Sequence, residues 1–131
     1  MSNPDKDPLK IYLLRSGENE SGVTSDIQVL KGIAAIHRED PLQALFLDST
    51  VECTEYPSVL SYCNQQNISH QTLSGVTVDQ KATDISSRCN ENHWRRAVYL
   101  GKLETLEIIA NVLQRNRCTT EIYDCPNASQ D

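Results

Sequence analysis

The chain has 131 residues, 38% hydrophobic and 23% charged, a size and balance that fit one globular domain. No apolar run approaches the roughly 20 residues that cross a bilayer, which excludes a spanning helix, and the polar opening MSNPDKDPLK is unlike a secretory leader. Twelve basic against 18 acidic side chains leave a formal charge of −6, the wrong sign for direct nucleic-acid binding.

Residues 1–8, polar with Pro4 and Pro8, are expected to form a flexible arm ahead of a single α/β domain over 9–125, with a flexible tail at 126–131. Leu9 to Leu14 is nearly all apolar, as a strand buried on both faces requires. Arg15-Ser16-Gly17 ends it. Ser25 then reads as a helix N-cap, with Asp26 complementing the dipole and Gln28 closing a capping box. Ile27, Leu30, Ile33, Ala34 and His37 carry that helix to about Arg38.

Ala44 to Leu47 is a second apolar run, followed by a helix with Pro57 in its first turn and Val59, Leu60 and Cys63 facing inward. Ile68 to Leu73 alternates weakly, and its polar Ser69, His70 and Gln71 suit a sheet edge. A short helix is expected around Gln80 to Cys89. Ala97 to Leu100 is a fourth strand. Leu103, Leu106, Ile109, Ala110 and Leu113 then make a helical stripe, and Thr119 to Tyr123 is a last strand. This alternation implies a three-layer sandwich around a mostly parallel sheet.

The five cysteines, Cys53, Cys63, Cys89, Cys118 and Cys125, are odd in number and show no C-x-x-C spacing. They read as reduced thiols of an intracellular protein, cytoplasmic or nuclear, with no zinc site and no cofactor.

Ligands of open α/β sheets bind where strands end. Arg15 and Lys102 both follow strands there, and read either as a small anion site or as solvated loop charges. The segment Ile11-Tyr12-Leu13-Leu14-Arg15-Ser16-Gly17-Glu18 resembles the opening of the histidine phosphatase (phosphoglycerate mutase-like) superfamily, an apolar strand followed by Arg-His-Gly-Glu. Phe46-Leu47-Asp48-Ser49-Thr50 resembles the family's strand ending in Ser-Ser-Pro. Ala97 to Lys102 resembles its strand ending in Ser-His-Gly. The resemblance implies a last strand that runs antiparallel beside the fourth.

The departures from that family concern its chemistry. Ser16 stands where the nucleophilic His belongs, Cys53 where a second phosphate-binding Arg belongs, and Lys102 where the second His belongs, so Arg15 alone survives. A serine without a base is a poor nucleophile, and a pocket stripped of cations cannot offset phosphoryl charge. The resemblance therefore implies a catalytically inactive domain kept as a protein interaction or assembly module, as a homo- or hetero-oligomer.

Two alternatives stand beside it. One is an unrelated flavodoxin-like or receiver-like binding domain, expected to have an all-parallel five-stranded sheet. The other is a hydrolase in which Lys102 activates Ser16. None of His37, His70 and His93 follows a strand, Cys53 lacks the C-x5-R loop because position 59 is Val59, and the five glycines form no G-x-G-x-x-G. Glu39 to Glu55 holds five acids and no Lys or Arg, whereas Arg88 to Lys102 holds four bases against Glu91. Arg95 and Arg96, in the basic stretch, are the candidate partner-binding residues.

Overall fold

The computed structural model describes residues 9–15, 26–49, 51, 53–101 and 103–123. Strands and helices alternate along them: β1 (Lys10–Arg15), α1 (Asp26–Glu39), β2 (Ala44–Leu47), α2 (Pro57–Gln65), β3 (Ser69–Thr72), α3 (Val78–Asn92), β4 (Arg96–Gly101), α4 (Leu103–Arg115) and β5 (Thr119–Tyr123). A 3-10 turn at Cys53–Glu55 lies between β2 and α2. The strands form one sheet in the order β3-β2-β4-β1-β5, and every neighbouring pair is parallel.

The strand order determines where the helices go. The connections β1 to β2 and β2 to β3 travel toward one edge; β3 to β4 and β4 to β5 travel toward the other. Right-handed crossovers therefore put α1 and α2 on one face and α3 and α4 on the opposite face. The packing agrees, with α1 against α2 and α3 against α4.

Two cores result, fed by alternate residues of the same strands. Ile11, Leu13, Phe46 and Tyr99 pack with Ala82, Ile85, Ile109 and Leu113. Tyr12, Leu14, Leu45, Val98 and Leu100 pack with Val29, Ile33, Val59 and Cys63. Strands buried on both faces explain why Leu9 to Leu14, Ala44 to Leu47 and Ala97 to Leu100 are continuously apolar.

The last strand corrects the sequence expectation. β5 runs parallel, not antiparallel, and its neighbour is β1 rather than β4, with Lys10 opposite Thr119 and Leu14 opposite Tyr123. The cause is geometric. Helix α4 carries the chain back along the sheet, so β5 begins at the same end as β4 did. Both sides of β4 are taken by β2 and β1, and the open position lies beyond β1.

Helix α3 is longer than expected. Its Thr77 cap accepts from Gln80 N–H at 3.1 Å while the Gln80 side chain accepts from Thr77 N–H at 3.2 Å. Its core stripe is reduced to Ala82, Ile85 and Cys89 with Lys81, too sparse to mark the ends by periodicity. Helix α2 has no capping side chain of its own. The Asp26 carboxylate of α1 accepts from its Ser58 and Val59 amides at 3.0 and 3.2 Å, fastening the two helices together.

Candidate functional site

At the carboxyl ends of the strands, β1 exits toward α1 on one face and β4 exits toward α4 on the other. The two strands are adjacent, and Arg15 is the register partner of Gly101. Loops that diverge from neighbouring strands open a crevice between them, the usual ligand position in such sheets. The fold thus brings Arg15 to the end of the strand that leads into Lys102. Arg15 and Cys53 are described through their backbones, and Ser16 and Lys102 lie outside the described residues. Cys53 opens the turn after β2, which β4 separates from β1.

Among the described residues, the buried charged groups at this edge are Asp48, one of the strand-end residues Asp48 to Cys53 after β2 that sequence reading marks as able to meet a ligand, and Lys81, which sequence reading does not pair with it. Asp48, directly after β2, is 1% exposed, and Lys81 of α3 is 7% exposed. Lys81 Nζ lies 2.9 Å from Asp48 Oδ1, and the Tyr99 hydroxyl donates to the same oxygen at 2.7 Å. Tyr99 is wholly buried, and desolvation first, then its hydrogen bond to Asp48, raises its pKa far above the ordinary phenol value. The phenol stays neutral and serves as a donor. A Cβ on Gly101 would fall 2.6 Å from the Tyr99 oxygen, so Gly101 is the residue that leaves room for this arrangement. Base, acid and phenol thus hold one another in place at the carboxyl edge of the sheet.

Ser49, beside Asp48, donates to the Gly75 carbonyl at 3.4 Å and ties the β2 exit to the turn ahead of α3.

Arg95 and Arg96 sit at the opposite, amino end of the sheet, away from Arg15. Arg96 Nε contacts both oxygens of Asp40 at 3.1 and 2.9 Å, and Tyr12 donates to Asp40 at 2.6 Å. Arg95 Nη1 donates to the Trp94 carbonyl at 3.2 Å. The acidic and basic stretches are partly knit together inside the domain by Arg96 and Asp40.

His37 accepts the Leu42 N–H on Nδ1 at 2.9 Å and meets the Tyr62 ring edge-on, which makes it a fastening of the turn after α1. His70 and His93 are exposed. Cys63, Cys89 and Cys118 are free and buried. Burial pushes the thiol of Cys63 up to about 11 and that of Cys89 up to about 12, well away from a reactive thiolate.

One sequence signal went unread. Gly17-Glu18-Asn19-Glu20-Ser21-Gly22-Val23-Thr24 has the G-x-x-x-x-G-x-[ST] spacing of a phosphate-binding loop, and it lies between a strand and a helix, as that motif requires. Val23 stands where the phosphate-binding Lys belongs. These residues lie outside the described ones.

No family model matches the chain, and no curated protein matches it. Among solved structures it is similar to the signal recognition particle receptor FtsY from Elizabethkingia anophelis, at 15% identity and a TM-score of 0.50. The match covers 84% of this chain and 38% of that one, so the chain spans well under half of its neighbour's length. At that identity the likeness is one of fold: a three-layer α/β domain around a parallel sheet. No helix of the described residues is long and apolar enough to cross a membrane.

Proposed function

We propose that this chain is a non-catalytic α/β binding domain, intracellular, that acts by associating with another protein. The observation that supports the inactive part is burial: Asp48, Lys81 and Tyr99, ionisable groups gathered at the carboxyl edge, are 1%, 7% and 0% exposed, out of a substrate's reach. The sequence adds to it from two directions. Ser16 occupies the position of a phosphatase nucleophile, and Val23 occupies that of a phosphate-loop lysine. By either comparison, a residue on which the phosphate chemistry depends is replaced.

The sheet favours one lineage over the other. An all-parallel order, with β5 outside β1, fits the rival expectation of a binding domain unrelated to the histidine phosphatases. The function proposed is the same for both. In it, Arg15, the last residue of β1, and Lys102, which follows β4 in sequence, are the candidate cations for an acidic group of the partner. The test is capture of partners from the native source by the full chain and by a variant with Arg15→Glu and Lys102→Glu. Loss of a specific partner on reversal is expected. A captured set that reversal leaves unchanged refutes the crevice as the contact.

A further inference from the structure

We draw no further inference here: the strongest candidate, the groove between α1 and α2 lined by Leu30, Pro57, Ser58, Ser61, Tyr62 and Gln65, is an apolar-sided surface, and nothing in the structure shows what covers it.

Discussion

Replacing Lys81 with Met leaves Asp48, 1% exposed, with the Tyr99 hydroxyl as a donor but without its 2.9 Å cation. Methionine preserves the length and apolar stem of the side chain, so the loss is chiefly electrostatic. Removing one partner of a buried ion pair typically costs about 3–5 kcal/mol, a large fraction of the roughly 5–15 kcal/mol that holds a domain folded. Tyr99→Phe removes a neutral hydrogen bond to a charged group, about 1.5–3 kcal/mol. The two changes share Asp48 and are expected to be non-additive.

Urea denaturation followed by the single Trp is the assay, because Trp94 packs edge-on against the core ring of Phe46 at 6.1 Å. The midpoint should fall with the slope unchanged. The paired replacement Asp48→Leu with Lys81→Met should recover most of the loss, since it removes the charge that was stranded. A loss below about 1 kcal/mol for Lys81→Met, or a double variant no better than the single, would refute the claim that this pair is a buried, mutually dependent unit.

Further outcomes follow from other contacts. Gly101→Ala drives a Cβ to within 2.7 Å of the Tyr99 ring, which is wholly buried and cannot retreat, and should cost about 1–3 kcal/mol in the same denaturation assay. Asp26→Ala removes the cap of α2 and should cost about 0.5–2 kcal/mol, with Asp26→Asn recovering much of it. Arg96→Ala opens a half-exposed contact to Asp40 and should lower stability by about 1 kcal/mol or less; a charge reversal there would therefore disturb the fold as well as any interface. Cys63 and Cys89 hold their protons to about 11 and about 12 against an ordinary 9.0, so the folded state keeps protons that the unfolded chain sheds. Their stabilisation is full below pH 9 and is lost as pH rises through those values, at about 1.4 kcal/mol per pH unit per thiol. Thermal melts between pH 8 and pH 10.5 should show the decline, and it should shrink in Cys63→Ala.

What the sequence made legible was whatever depends on a local run. Leu13, Phe46 and Val98 lie in runs apolar enough to demand burial on both faces, and Pro57 marked the start of α2. Relations between distant segments were not legible. Asp48 reads as a polar residue ending a strand, and Lys81 as one charge in a polar helix. Neither announces the other, because the pair exists only once β3 and α3 have folded back beside β2. The position of β5 was missed for a similar reason: the place open to it depends on β2 and β1 having already flanked β4. Gly17 and Gly22 were legible as a spacing, but a search confined to the dinucleotide pattern passes over them.

The most direct test of the central claim is release of inorganic phosphate by the pure 131-residue chain, offered a generic phosphomonoester and, separately, a nucleoside triphosphate with magnesium. The account predicts release no greater than that of a protein-free blank with either substrate. Release that scales with protein concentration would contradict it, and its loss in Arg15→Ala would place the activity at the end of β1.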